Sequence, residues 1–212
     1  MRRLVVVVAA TALGGLLLAT WGGAASAREA GPESAAQAKL PPLPANIKSR
    51  GFFNIAVKCD SPPFGYIDVR GRNAGFDVEI AREMAAALLG SRDAVVLVAI
   101  PYSARVDVLA EGTVDMVVDT FTINCVRDDR IDFSTQYFTS SQKLLVRIDD
   151  LSTGIEDFGD RPVCAAAGST SADNLRALPA PAPRVVEVTE QADCLVLLQQ
   201  GQVEGISTDD TI

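Results

Sequence analysis

Thr120-Phe121-Thr122-Ile123-Asn124-Cys125-Val126-Arg127, with Ile131-Asp132-Phe133-Ser134 just beyond, is the stretch on which the reading of this chain turns. The apolar run Met116-Val117-Val118 before it reads as a short buried strand. In extended backbone Thr120 and Thr122 point the same way. Arg127 then follows where the chain is expected to turn into a short helix. Hydroxyls and backbone carbonyls accept from an ammonium, and a guanidinium offers a planar fork of donors to a carboxylate. Together these groups suit the head of a free α-amino acid. The plain alternative is a surface ion pair between Arg127 and Asp132, which would be worth little.

On the N-terminal side, the pattern predicts strands over 53–58 and 95–100 and helices over 77–89 and 103–110. Ile80, Ala81, Met84 and Leu88 form the expected apolar stripe of the first helix, and Gly90 ends it. Arg70-Gly71-Arg72-Asn73 reads as the turn of a hairpin. On the C-terminal side, 142–148 reads as a crossover strand. Strands over 163–167, 184–188 and 203–207 follow, with helices from Ser171 and over 191–200. Strands alternating with helices imply an α/β fold with mostly parallel sheets. In such sheets ligands sit at the carboxyl ends of the strands, where Lys58, Arg105 and Thr120 fall.

Composition narrows the chemistry. The 212 residues include 19 Lys and Arg against 27 Asp and Glu, a net charge of −8. An acidic body argues against nucleic acid as a partner. The chain has no histidine, which excludes Ser-His-Asp and Cys-His catalysis and histidine-ligated metals. Met1-Arg2-Arg3, an apolar run from Leu4 and Ala25-Ser26-Ala27 read as a signal peptide over 1–27, with an uncleaved anchor as the alternative. No lipid-accepting cysteine precedes Cys59. Residues 28–49, with Pro41, Pro42 and Pro44, read as a flexible linker. Four cysteines in an exported chain suggest two disulfides, Cys164–Cys194 and Cys59–Cys125.

The Thr120–Ser134 stretch, together with Gly75-Phe76-Asp77-Val78-Glu79, Tyr102-Ser103-Ala104-Arg105, Gly168-Ser169-Thr170-Ser171 and Thr208-Asp209, resembles the family 3 solute-binding proteins of amino-acid ABC transporters. Within that family it looks most like the actinobacterial glutamate/glutamine-binding branch. The resemblance runs from about residue 50 to residue 212 and implies a two-lobe fold of the type II periplasmic-binding-protein class. Lobe 1 is expected over 50–141 and lobe 2 over 142–212. Family members continue further, so lobe 2 is expected to be incomplete and the sequence C-terminally truncated.

The resemblance also assigns roles. Lys58 and Arg105 would meet a side-chain carboxylate of the ligand, and Phe76 would wall it, with Phe64 a second rim candidate. Thr120, Thr122 and Arg127 would hold the α-amino acid head from lobe 1. Ser169, Thr170 and Asp209 would hold it from lobe 2, Asp209 taking the ammonium. Each has a plainer reading: a solvated Lys58, a helix-surface Arg105, a core Phe76, a capping turn at Gly168–Ser171, and a cap at Asp209 or Asp210. The implied protein is a monomeric, exported, non-catalytic receptor for glutamate, aspartate or their amides. It would need no cofactor or metal and would serve an ABC permease. The rival readings are a dehydratase-like enzyme, with Glu79 or Asp119 as acid or base, and a sensor domain for signalling.

Overall fold

The computed structural model describes residues 42–212; the expected signal peptide and most of the expected linker lie outside them. The described linker residues are not free chain. Residues Ala45–Arg50 form a helix, α1, opened by Pro44 and closed by Gly51. Ile47 is buried in the first core and Leu43 packs against it. One apolar side chain per helical turn is enough to dock this segment, which corrects the expected boundary at residue 49.

Three parallel strands organise the first half. β1 (Phe53–Val57) is flanked by β5 (Val95–Ala99) and β6 (Met116–Val117) in the order β5-β1-β6. A central parallel strand is covered on both faces, so β1 reads as a continuous apolar run. Ile55, Ala56 and Val57 are all fully buried. A small antiparallel sheet, β2 (Asp60–Ser61), β3 (Gly65–Ile67) and β4 (Asn73–Ala74), makes the expected hairpin. α2 (Phe76–Leu89) follows and ends at Gly90. Its buried face is Val78, Ala81 and Ala85, whereas Met84 is exposed. The stripe is thus rotated from the expected one, because the small residues at 81 and 85 let the helix approach β1 closely. α3 (Arg105–Ala110) connects β5 to β6, and the four-residue α4 (Cys125–Asp128) follows β6.

The second half has a four-stranded sheet in the order β7-β10-β8-β9. β8 (Pro162–Ala166), β9 (Arg184–Val188) and β10 (Gly205–Asp209) are parallel, and β7 (Gln142–Val146) pairs antiparallel with β10 at the edge. β10 begins two residues later than the sequence pattern suggests. Side chains of β8 alternate between two cores. Val163 and Ala165 pack with Phe158 and with Ala172 and Leu175 of α5 (Thr170–Arg176). Cys164 faces Cys194 and Leu198 of α6 (Gln191–Gln199).

Cys164 and Cys194 form a disulfide that ties α6 to β8. Cys59 and Cys125 are free, which corrects the second expected pair. The Cys59 thiol is grouped with the carboxylates of Asp60 and Glu190, while Cys125 is exposed at the start of α4. Closing a loop of 30 residues restricts the unfolded chain by an amount worth about 3–4 kcal/mol. Urea unfolding of the Cys164→Ala/Cys194→Ala double variant is expected to show a loss of at least that size. A loss below about 1 kcal/mol would contradict it.

Candidate functional site

The ends of β1, β5 and β6 meet around Tyr102, which lies in a 3-10 turn (Tyr102–Ala104) just before α3. Its hydroxyl is 2.9 Å from the Ser61 hydroxyl and accepts from the Thr120 hydroxyl at 3.3 Å. Two cations lie over its ring: Lys58 Nζ at 4.7 Å and the Arg105 guanidinium at 4.3 Å from the centroid. Thr120 adopts φ +41°, a left-handed backbone that a β-branched residue rarely tolerates. It is held there from outside: its N–H donates to Asp77 Oδ2 at 2.7 Å. Because Thr120 is not extended, the two threonine hydroxyls do not point the same way, which corrects the expectation. The Thr120 hydroxyl turns to Tyr102, whereas that of Thr122 faces the hydroxyl of Thr170 at 3.4 Å.

Both guanidiniums are buried and both reach across to the second half of the chain. Arg127 is set by α4, whose first turn is capped by Asn124 Oδ1 accepting from the Arg127 N–H. Its Nη1 donates to the Thr122 carbonyl at 2.8 Å and its Nη2 to the Gly168 carbonyl at 3.0 Å. Arg105 donates to the carbonyls of Tyr102, Asp119, Thr120 and Gly168. The Phe121 ring lies between them, 4.4 Å from Arg105 and 4.7 Å from Arg127. Burial pushes the Arg105 pKa down to about 10 and lowers that of Arg127 as well.

Between the two halves is a narrow cavity of about 20 Å³, room for little more than one water. Tyr102, Arg105, Thr120 and Thr122 line it from one side, and Ser169, Thr170, Ser171, Thr208 and Asp209 from the other. Ser169 caps α5: its hydroxyl accepts from the Ala172 N–H and donates to the Ala166 carbonyl. Asp210 is the structural one of the acidic pair, accepting from the Ser141 N–H, while Asp209 faces the cavity. A broader open hollow of about 430 Å³ lies elsewhere, beside Asp150, Asp157 and Arg161, and is walled by one half only.

Three expected residues do not line the cavity: Arg127, whose guanidinium is taken up by the Thr122 and Gly168 carbonyls, Lys58 and Phe76. Lys58 is fully buried between Asp60, at 2.9 Å, and Glu190, at 2.5 Å. Burial alone would lower its pKa, but these two carboxylates outweigh that and raise it. Phe76 joins Phe64, Tyr137 and Phe138 in an aromatic cluster. Cys59, Asp60 and Glu190 are spaced as metal ligands are, but the Lys58 ammonium already sits against their carboxylates. Tyr102 and Phe121 also belong to this site and were not among the expected residues, whereas Gly168 stood in a motif already singled out. The alternation Thr120-Phe121-Thr122 was the one available signal for Phe121.

Residues 53–210 match the bacterial extracellular solute-binding proteins, family 3. The chain belongs to this family. It is 34% identical to the glutamine-binding protein of Geobacillus stearothermophilus over 78% of its own length and 64% of that protein's. To the ABC transporter glutamine-binding protein of Bacillus subtilis it is 34% identical, over 93% and 71%. To a glutamate-binding protein of Corynebacterium glutamicum it is 28% identical, over 76% and 57%. The chain thus spans roughly three-fifths to seven-tenths of these relatives. Among solved structures, the solute receptor for L-cysteine of Neisseria gonorrhoeae superposes with a TM-score of 0.75 at 29% identity, covering 78% and 67% of the two chains. The arginine-bound form of truncated ArgBP from T. maritima does so at 0.73 and 27%, covering 78% and 77%. The β5-β1-β6 and β7-β10-β8-β9 sheets belong one to each lobe of this type II binding-protein fold. Among the described residues no helix is long and apolar enough to cross a membrane.

Next to Thr120, and not part of the cavity lining, Asp119 is fully buried, with neither carboxylate oxygen receiving a hydrogen bond. Burial raises its pKa to about 8, more than the nearby Arg105 and Lys58 lower it. The folded protein therefore keeps this proton up to about pH 8, while the unfolded chain loses it near pH 4. Between those values the folded state binds the extra proton, so stability declines as pH rises, by at most about 1.4 kcal/mol per pH unit for one proton. Asp119→Asn is expected to remove this part of the decline. In urea unfolding at pH 5 and pH 8, the variant should gain at least about 1 kcal/mol on the wild type between the two. Parallel pH profiles would contradict it.

Proposed function

We propose that the protein is a receptor for a free α-amino acid of the glutamine and glutamate class, held between its two lobes and delivered to an ABC permease. The interlobe cavity lined by Thr122, Thr170 and Asp209, with Arg127 bridging the Thr122 and Gly168 carbonyls, carries this reading. In the ligand complex the α-carboxylate takes the Arg127 donor that the Gly168 carbonyl now occupies, and Asp209 accepts from the ammonium. Charge-assisted bonds of this kind are about twice as strong as neutral ones. Two buried guanidiniums beside the cavity disfavour a cationic side chain, so arginine, named for one solved relative, is the poorer candidate. Relatives named for glutamine and for glutamate support the ligand class.

The reading includes export by residues 1–27, action as a monomer and release of the ligand unchanged. The two candidate acids or bases of the enzyme reading do not line the cavity. Asp119 is buried next to Thr120, and Glu79 is on the surface, paired with Arg92.

Calorimetric titration with glutamine, glutamate, aspartate, asparagine and arginine tests the proposal. Glutamine or glutamate is expected to bind most tightly, with arginine silent. Arg127→Ala should weaken that binding by about 10- to 100-fold, since a charge-assisted bond is lost. Preference for arginine, or wild-type affinity in the variant, would overturn it.

A further inference from the structure

A second set of contacts joins the lobes away from the cavity. Lys58 follows β1 and is fully buried, and its Nζ meets Glu190 Oε2 at 2.5 Å across the interlobe seam. Asp60, the first residue of β2, accepts from the Ala192 N–H at 3.0 Å. Ala192 lies in the first turn of α6. The residue at the head of that helix, Glu190, makes no cap bond with its own helix. The two carboxylates have exchanged duties: Glu190 neutralises a lysine of lobe 1, and Asp60 of lobe 1 serves the amino end of α6. A carboxylate there is favoured by the unpaired N–H groups and by the helix dipole. The disulfide Cys164–Cys194 fixes α6 to β8, so this end of the helix moves with lobe 2 as a body.

We propose that Lys58–Glu190 and Asp60–Ala192 form a latch that biases the two lobes toward the closed state with or without a ligand. None of the four residues lines the ligand cavity. The latch contacts exist only while the lobes are together, so they act on the open–closed equilibrium and not on the choice of ligand. When the binding-competent form is only partly populated, apparent affinity falls by that fraction for every ligand alike. Tyr102 connects the two regions: its ring carries Lys58, and its hydroxyl meets Thr120 at the cavity. Opening the lobes leaves Lys58 with Asp60 as a partner within lobe 1, so the buried ammonium stays paired in the open state.

Two variants break the latch while leaving each lobe its fold. Glu190→Gln removes the charge of a partly exposed side chain, and Lys58 keeps Asp60. Ala192→Pro deletes one N–H in the first helical turn, where proline is tolerated. Small-angle scattering of the full chain without ligand is expected to give a larger radius of gyration for either variant than for the wild type. Titration with glutamine and with glutamate is expected to show both affinities reduced by the same factor, roughly 3- to 20-fold for one partly exposed ion pair or charge-assisted bond. An unchanged radius of gyration in both variants overturns the latch, as do unequal losses for the two ligands. The proposal rests on the receptor reading only for its titration arm. Expansion without ligand, in a protein that binds neither amino acid, would leave the latch standing and remove the ligand assignment.

Discussion

The carbonyl of Gly168 accepts from Arg105 and from Arg127, each at 3.0 Å. Two guanidiniums of lobe 1 thus close on one backbone oxygen of lobe 2. The contact requires this residue to be glycine. Its φ is +78°, and a Cβ built there would lie 2.5 Å from the Ser103 Cα, a distance at which backbone would have to shift. The seam between the lobes is therefore set where β8 turns into α5, and the side chains of Ser169 and Thr170 reach the cavity because Gly168 comes so close. On the proposed function, the carboxylate-binding fork is already aimed and an intramolecular acceptor stands in for the ligand.

Beneath the seam is a polar layer that accounts for the backbone strain at Thr120. Asp77, fully buried, accepts from the Thr120 N–H and from the Tyr137 hydroxyl, and burial raises its pKa. Tyr102 links Ser61 to Thr120. Asp119 alone in this layer has no hydrogen-bond partner. A buried carboxylate without donors is costly in its charged form, and neutralisation by a proton is the cheaper state. The arrangement holds the cleft floor rigid at some expense in stability, which is common where a site is preorganised.

Much of the architecture was legible in the sequence because it follows from periodicity. β1, α2, β5, β9 and α6 fall within a residue or two of where the apolar pattern places them. The apolar run of β1 and the small residues of α2 dictate a helix packed on a parallel strand. What periodicity cannot carry is orientation. The rotated face of α2 depends on how closely Ala81 and Ala85 approach β1, and the antiparallel pairing of β7 depends on which edge of β10 is open. Thr122, Thr170 and Asp209, which the structure brings to the cavity, were named from residue type and order. The place of Lys58 was not legible, because its partner Glu190 is 132 residues away and nothing local announces the pair. Nor was the free state of Cys59: its surroundings are supplied partly by the other lobe.

Arg127 is proposed to hold the carboxylate of a free amino acid between the lobes. A crystal structure of the full chain grown with glutamine tests it most directly. The expected result is a ligand whose α-carboxylate lies on Arg127 in place of the Gly168 carbonyl, with its ammonium against Asp209. Ligand density outside the cleft, or a ligand in the cleft with Arg127 still bonded to Gly168 and not to the carboxylate, would contradict it.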